Sequence, residues 1–201
     1  NKILVSFDYV KFGDLYNSKG KSKEAIECYD KALELNPEYA KAYNNRGNAY
    51  YYKGELDLAI EDYNKAIKLN PDLAEAYNNR GNAYYNISDV FNCANDIGKS
   101  AFLFFLQNSF DKAINAFKET YNLRNKTNNP ICYECGLAYA IVKNDKEIIK
   151  EVRKHKDKLS ESASLVLDYL ITGKTEKEIE VKDERDEVFK RLLEGLKKSL
   201  Q

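Results

Sequence analysis

The chain has 201 residues, of which 43% are hydrophobic and 12% aromatic, enough to bury a core in one or two domains. Its 32 basic residues balance 32 acidic ones, which excludes the strong positive field that draws a protein to nucleic acid or to an anionic membrane. Four cysteines are too few for a disulfide framework in a chain of this length, so we expect reduced thiols.

Nothing in the sequence indicates membrane insertion or secretion. The longest apolar run, residues 101–106, is far shorter than the roughly 20 residues that a membrane-spanning helix needs. No charged-then-apolar signal segment opens the chain. Because the chain begins at Asn1 and contains no methionine, we expect a piece of a longer protein, from which upstream targeting sequence or further domains can be missing. The default expectation for localisation is cytoplasmic.

The sequence contains an internal repeat. The ten letters AYNNRGNAYY occur at residues 42–51 and again at residues 76–85. With a shift of 34 residues, residues 40–51 match residues 74–85 at eleven of twelve positions. Apolar and small residues recur at helical spacing in two blocks, which are separated by a glycine turn at Gly20 or Gly54 and closed by an Asn-Pro pair. Each repeat is therefore predicted to be two helices joined by a short turn.

These repeats resemble the tetratricopeptide repeat family. Counting repeats from Ser6, Ala40 and Ala74, the family's glycine at position eight is Gly13, Gly47 and Gly81. The family's tyrosines and small residues fall in register too, at Tyr9, Tyr16, Ala25, Tyr29, Ala32, Tyr43, Tyr50, Ala59, Tyr63, Ala66, Tyr77 and Tyr84. The small residues let two helices approach closely and the tyrosines fill the space beside them, so we expect these tyrosines in the core. The resemblance implies an all-α fold, a right-handed α-solenoid of about five antiparallel helix pairs.

The third and fourth repeats are irregular. Ser88 replaces the turn glycine of the third repeat, and no proline closes it. The pattern resumes at residues 108–117, in the phase of a repeat that starts at Ala94. Residues 88–107 form either one long helix that serves two repeats or an insertion that displaces the second helix of the third repeat. The predicted solenoid domain covers residues 1–128, with repeats at residues 6–39, 40–73, 74–93 and 94–127.

Residues 129–201 are predicted to hold degenerate repeat-like helices and a C-terminal capping helix. Helical patterns cover residues 146–159, 160–172 and 184–200. The last has an apolar stripe opposite a Lys/Glu face, formed by Val188, Phe189, Leu192, Leu193, Leu196 and Leu200. Such a helix shields the terminal repeat of a solenoid from water. Docking of the stripe onto a partner or onto a second copy is the alternative.

The residues that most often carry catalysis are poorly placed for it. The single histidine, His155, lies in the charged run RKHKDKL and is expected to face solvent without a catalytic partner. Cys132 and Cys135 form a CxxC pair, but no second pair completes a zinc site, and Cys93 falls where the repeats place a small packed residue. No phosphate-binding loop or nucleophile motif occurs. We therefore expect no enzyme activity, no catalytic residues, no metal site and no cofactor.

Asparagine distinguishes the first helices of the second and third repeats. The resemblance implies that positions two, five, six, nine, twelve and thirteen of each first helix face the concave side. Seven of these twelve residues are asparagine. An asparagine amide is both donor and acceptor, so a row of them can bond the backbone of an extended peptide whatever its side chains. The predicted peptide-binding residues are Lys41, Asn44, Asn45, Asn48, Tyr51, Tyr52, Asn78, Asn79, Asn82 and Tyr85.

The predicted function is that of a scaffold or adaptor that binds a protein or peptide partner, with no nucleic acid and no membrane, as a monomer or weak homo-oligomer. Three alternatives are self-assembly through residues 101–106 or the C-terminal helix, RNA binding through tyrosine and asparagine, and service as the regulatory arm of a larger protein.

The carboxylate clamp by which some members of the family hold chaperone tails is a further option. The resemblance implies lysines and an arginine at set positions of that clamp. Here those five positions, counted from Ser6, hold Val10, Asp14, Asn45, Glu75 and Asn79. Because every cation is missing, we expect no binding of an acidic chaperone tail.

Overall fold

The computed structural model describes residues 2–174 and 177–199, the last of these by its backbone alone. Over these residues the chain is helical, with eleven α-helices, two short 3-10 helices and no strand, which confirms the predicted all-α fold. The chain divides into two compact units, unit 1 at residues 1–89 and unit 2 at residues 90–201. The predicted domain boundary at residue 128 rests on the repeat pattern and stays a prediction.

Unit 1 contains two helix pairs and a fifth helix. They are α1 (Lys2–Ser18), α2 (Ser22–Leu35), α3 (Ala40–Lys53), α4 (Leu56–Leu69) and α5 (Ala74–Asn86). Each helix packs against the next one in the chain, and the first helices of successive repeats, α1, α3 and α5, also contact one another. This is the arrangement predicted from the repeats.

The turns of unit 1 share one backbone geometry. Gly20 and Gly54 have φ values of 71° and 80°, in the left-handed region. Ser88, at the equivalent position of the third repeat, has a φ of 63°. The turn is therefore kept although glycine is lost, at a steric cost that glycine would not incur.

The Asn-Pro pairs end the repeats through the asparagine side chain. The Oδ1 of Asn36 accepts from the N–H of Glu38 at 3.3 Å, and that of Asn70 accepts from the N–H of Asp72 at 3.1 Å. These contacts are Asx turns, and the proline between the bonded residues cannot continue the preceding helix. Each Asn-Pro pair therefore stands directly after the helix that it ends, α2 or α4.

The core of unit 1 forms where a tyrosine of one helix meets a glycine of its neighbour. Tyr29 and Tyr63 are each 1% exposed. Tyr50 packs against the core made by α2 and α3. Tyr16, its counterpart in the first repeat, is 36% exposed, because no described helix of unit 1 covers the corresponding side of α1. The prediction that all the repeat tyrosines are core is therefore wrong for Tyr16.

Unit 2 contains six α-helices within the described residues. They are α6 (Val90–Leu106), α7 (Phe110–Asn122), α8 (Ile131–Lys143), α9 (Lys146–Arg153), α10 (Glu161–Thr172) and α11 (Glu184–Ser199), with 3-10 turns at Leu123–Asn125 and Lys156–Lys158. The segment at residues 88–107, for which two alternatives were open, is one long helix between left-handed residues at Ser88 and Asn108.

Residues 101–106 lie mostly in the core of unit 2. Phe102 is fully buried, with its ring centroid 5.2 Å from that of Phe117 on α7 and 6.0 Å from that of Phe189 on α11. Leu103 and Phe104 are 5% and 4% exposed. The predicted alternative of self-assembly through this segment is wrong, because these side chains already fill the core of their own chain.

The stripe of α11 is also used inside unit 2. Its four buried residues are Val188, Phe189, Leu192 and Leu193, and α11 packs against α6, α8 and α10. These residues are consequently not available to a partner or to a second copy, which corrects the alternative based on the C-terminal helix. Leu200, the predicted end of the stripe, lies outside the described residues. None of the helices in the described part of the chain combines the length and the apolar character that crossing a bilayer requires.

Candidate functional site

The predicted site lies on α3 and α5, two helices of unit 1 in direct contact. We call its central part the asparagine face, which consists of Asn44, Asn45, Asn48, Asn78, Asn79 and Asn82. The small residues of α3, Ala42, Gly47 and Ala49, are buried, which leaves the polar residues of this helix for the other side.

A chain of hydrogen bonds runs across the asparagine face. The Nδ2 of Asn79 donates to the Oδ1 of Asn44 at 3.0 Å, and the Nδ2 of Asn44 donates to the Oδ1 of Asn45 at 3.1 Å. The Nδ2 of Asn45 then donates to the Oδ1 of Asp14 on α1 at 2.7 Å. The chain joins α5, α3 and α1, so it fixes both the spacing of these helices and the rotamers of the amides.

Asn44 does not have the exposed position that the sequence predicted. Its side chain is 6% exposed, and both of its amide atoms are used in the chain of hydrogen bonds. Position five of this first helix lies between α3 and its neighbour rather than toward solvent. Asn44 therefore positions Asn45 and Asn79 and offers no group to a partner.

Other amide groups of the face are left open. The Oδ1 of Asn48 accepts from the Oη of Tyr63 at 2.8 Å, but its Nδ2 makes no hydrogen bond within the described residues. In the same described part of the chain, the side chains of Asn78 and Asn82 and the Oδ1 of Asn79 make none either. These groups carry the donors and acceptors that an extended peptide can use.

Tyrosines and one lysine border the asparagine face. Tyr52 is 72% exposed and Tyr85 is 47% exposed. The Oη of Tyr51 accepts from the Nδ2 of Asn86 at 2.7 Å, which links α3 to α5 once more, and the Tyr51 ring packs edge-on against Tyr52 at 5.7 Å. Lys41 is exposed near the start of α3. All ten predicted residues thus lie in unit 1, and nine of them reach the surface in full or in part.

Asp14 is part of this surface although the sequence did not point to it as a site residue. Its Oδ1 accepts from Asn45 and also from the Oη of Tyr29 at 2.8 Å. Burial and this carboxylate raise the pKa of Tyr29 well above its ordinary value, so the phenol remains a donor. The repeat register could have pointed to Asp14, because this residue occupies position nine of its repeat, as Asn48 and Asn82 do in theirs.

Asn17, also on α1, has a buried Oδ1 without a hydrogen-bond partner in the described structure. Such an atom is costly unless a ligand or water satisfies it.

Arg46 is a structural residue beside the site. Its Nε and Nη2 donate to the two carboxylate oxygens of Asp62 at 2.8 and 2.7 Å, and its Nη1 donates to Asp30 at 2.6 Å. Burial alone would lower the pKa of Arg46, but the two carboxylates raise it above its ordinary value. Arg80 repeats the arrangement by donating to Asn64, with its guanidinium over the rings of Tyr77 and Tyr84. Both arginines thus link the first helix of their repeat to a neighbouring helix.

The cysteines and the histidine of unit 2 are packed side chains. Cys132 and Cys135 are fully buried, and burial raises the pKa of Cys132 to about 11 and that of Cys135 well above its usual value. Both thiols are thereby kept from the reactive thiolate form. Among the described residues, no group of three or more His, Cys, Asp or Glu is arranged to hold a metal ion.

His155 is not the solvent-facing residue that its charged neighbours predicted. Its side chain is 34% exposed, and its ring centroid lies 4.5 Å from that of Tyr133 on α8. The charged run RKHKDKL thus turns its histidine inward, onto an aromatic ring, while lysines on either side are exposed.

The TPR repeat family model matches residues 13–52 and 47–88, the segments that form the helix pairs and the asparagine face of unit 1. Residues 13–88 are thus tetratricopeptide repeats, as the register of the glycines and tyrosines predicted. Comparison with curated proteins gives no significant match.

Solved structures of tetratricopeptide domains share the fold. The TPR2B domain of yeast Sti1, in complex with pHsp70, is 21% identical with a TM-score of 0.58, over 62% of this chain and 99% of that one. The first such domain of Spaghetti (RPAP3), bound to the HSP90 peptide SRMEEVD, is 24% identical with a TM-score of 0.54, over 61% and 95%. The Sgt2 domain from Aspergillus fumigatus is 20% identical with a TM-score of 0.53, over 61% and 82%.

Proposed function

We propose that unit 1 is a protein-interaction module that binds an extended, polar segment of a partner along the asparagine face. The observation that supports the proposal is that some side-chain amides of the face are hydrogen-bonded within the unit and others are not. Asn44 and Asn45 are held by hydrogen bonds within the unit, while Asn78 and Asn82 keep all their side-chain donors and acceptors open. The held amides are thus fixed in place before a partner arrives, beside the open groups of Asn78 and Asn82.

Pre-organisation makes this face suited to binding. Ordering a flexible side chain at an interface costs about 0.5–1.5 kcal/mol, and part of that cost is removed when neighbouring amides are already locked. An amide can pair with both the N–H and the C=O of a peptide in extended conformation. Because such bonds do not depend on the partner's side chains, we expect tolerance of sequence, with selectivity supplied by Tyr52 and Tyr85 at the border.

The neighbouring structures support a peptide as the class of ligand, since the Spaghetti domain is bound to an HSP90 peptide. The charged residues on this surface differ from those of the chaperone clamp. Asp14 and Glu75 stand at positions where the chaperone clamp uses polar or cationic side chains, and Asp14 is held in place by Asn45 and Tyr29. We therefore propose that the bound segment of the partner is neutral or weakly basic, and that unit 1 binds it without an enzymatic step.

Selection from a random peptide library tests the proposal. The immobilised chain would be presented with randomised twelve-residue peptides on phage, alongside the Asn78→Ala/Asn82→Ala variant. A matched control is Asn115→Ala/Asn122→Ala, which removes two exposed asparagines from α7. We expect peptides enriched on the wild type and on the control but not on the α5 variant. No enrichment on the wild type, or equal enrichment on the α5 variant, would overturn the proposal.

A further inference from the structure

The outward side of α1 exposes an apolar surface in unit 1. Leu4, Val5, Phe12 and Leu15 are 63%, 45%, 55% and 51% exposed. They lie opposite the buried side of the helix, where Ser6, Val10 and Gly13 contact the rest of the unit. This stripe is separate from the asparagine face and plays no part in the proposed peptide binding.

The equivalent side of α3 shows which residues let another helix of this protein pack closely against it. There, α2 packs against Ala42 and Ala49, both fully buried, and Arg46 reaches across to Asp30. Small residues allow the close approach, and the arginine makes the polar link. The helix α5 repeats this pattern with Ala76, Arg80 and Ala83.

The helix α1 lacks every element of that docking pattern. In the register of the repeats, its residues at these positions are Asp8, Phe12 and Leu15. Leu15 and Asp8 are too large for a helix to approach as closely as α2 approaches α3, and Phe12 cannot replace the arginine link. The outward side of α1 is therefore built for a different occupant.

The stripe of α1 is complementary to itself. About a point between Tyr9 and Val10, Leu4 is the mirror position of Leu15, and Asp8 is the mirror position of Lys11. If a second α1 lies antiparallel on the first, leucine meets leucine at both ends and acid meets base at the centre. A twofold interface requires this relation, in which residue i contacts j and j contacts i. Asp8 and Lys11 pair with each other within α1 at 3.7 Å, but they are 63% and 78% exposed, so both side chains can also turn to a partner.

We propose that the outward side of α1 is a self-association surface, on which a second copy of this chain packs its own α1 in antiparallel orientation. A helix of 17 residues is about 25 Å long. A contact of this length is at the small end of specific interfaces, so the dimer forms in a concentration-dependent equilibrium rather than permanently. The aliphatic and aromatic side chains of the stripe drive it, and the two Asp8–Lys11 pairs set its orientation.

Sedimentation equilibrium across about 1 µM to about 1 mM protein tests the proposal. We expect the mass to rise from the monomer value of 23.2 kDa toward twice that value. Leu15→Lys should keep the chain monomeric, whereas Leu58→Lys, which changes a 43% exposed leucine on α4, should associate as the wild type does. A wild type that stays monomeric throughout, or one whose association is unchanged by Leu15→Lys, would overturn the proposal.

A charge exchange tests the antiparallel orientation. Asp8→Lys and Lys11→Asp each place like charges opposite one another at two symmetric contacts, which we expect to raise the dissociation constant about fivefold. The double variant Asp8→Lys/Lys11→Asp restores both pairs and should return the constant to the wild-type value. Both residues are exposed, so circular dichroism should show every variant folded. A double variant as weak as the single ones would overturn the antiparallel register.

Discussion

The ring of Tyr63 occupies the space that a side chain at Gly47 would need. A Cβ placed on Gly47 would lie 2.7 Å from the Cε1 of Tyr63 and 3.2 Å from the carbonyl oxygen of Ala59. The same relation holds in the first repeat, where a Cβ on Gly13 would lie 2.4 Å from the Cε1 of Tyr29. The two helices of each pair can approach closely only because glycine is present, and the tyrosine completes the core beside it.

Gly47→Ala should destabilise the protein despite the higher helix propensity of alanine. Neither the buried Tyr63 ring nor the Ala59 backbone can move away freely, so we expect the free energy of unfolding to fall by about 2 kcal/mol. Urea denaturation followed by circular dichroism measures the change. Gly195→Ala is the control, since nothing lies within 4 Å of its Cβ position, and it should raise the stability by up to about 1 kcal/mol. Equal stabilisation by both variants would contradict the packing described here.

Much of this architecture could be predicted from the sequence because the repeat is nearly exact. The register alone placed Tyr63 in the core, predicted close helix approach at small residues, and ended the repeats at the Asn-Pro pairs. The helical pattern, however, does not show which of the amides predicted to face solvent are instead covered by a neighbouring helix. The burial of Asn44 depends on hydrogen bonds from other helices, so it could not be read from α3 alone. The core role of Phe102 depends likewise on α11, which lies far away in sequence.

Asn44→Ala should destabilise the protein, whereas Asn82→Ala should leave its stability almost unchanged. Removing Asn44 leaves the amides of Asn45 and Asn79 without their partner, so we expect a loss of about 1–3 kcal/mol in the free energy of unfolding. Asn82→Ala removes a side chain without internal hydrogen bonds and should leave stability within about 0.5 kcal/mol of the wild type. Thermal denaturation of the two variants side by side makes the comparison. A larger loss for Asn82→Ala would contradict the assignment of structural and open amides.

Ser88→Gly should stabilise the protein. Ser88 has a φ of 63°, a conformation that costs a residue with a Cβ about 1–2 kcal/mol and costs glycine little. We expect a gain of about 1 kcal/mol in the free energy of unfolding, measured by urea denaturation. Ser88→Ala keeps the Cβ and should bring no gain. Equal effects of glycine and alanine would show that the backbone at this turn is not under steric strain.

Asp183 caps the N-terminus of α11, and its effect on stability should depend on pH. Its Oδ1 accepts from the N–H groups of Arg185 and Asp186 at 2.9 and 3.1 Å. Burial raises the pKa of Asp183, but these bonds and the Arg185 guanidinium outweigh it and lower the pKa below its ordinary value. A carboxyl with a lowered pKa in the folded state stabilises the protein fully above its unfolded pKa of about 4, and the contribution is lost as the pH falls further.

At pH 7, Asp183→Ala should therefore cost about 1 kcal/mol of stability. The cost should shrink as the pH falls below about 4 and the wild-type carboxyl takes up a proton. Asp183→Asn, which keeps an acceptor at the cap, should lose less at pH 7 and show no such dependence. Urea denaturation at several pH values measures all three proteins. A constant cost of Asp183→Ala down to acid pH would contradict the role of the carboxylate.

The HSP90 peptide SRMEEVD should bind this protein weakly or not at all. The positions that would supply cations to its carboxylates hold Val10, Glu75 and Asn79, and Asp14 adds a negative charge. Isothermal titration of the peptide at low salt should give no measurable heat of binding. A micromolar affinity that weakens with added salt would show that other cations of the chain form a clamp.

The central claim is that the asparagine face holds the backbone of its partner, and titration with a backbone-modified peptide tests it most directly. The tightest peptide from the library would be synthesised with its own backbone and with N-methyl groups at alternate residues, which remove N–H donors and leave the side chains unchanged. We predict that methylation in the register facing Asn78 and Asn82 weakens binding to the wild type by about tenfold or more, and that it has little further effect on Asn78→Ala/Asn82→Ala. Equal affinity of methylated and unmethylated peptides for the wild type would contradict the account.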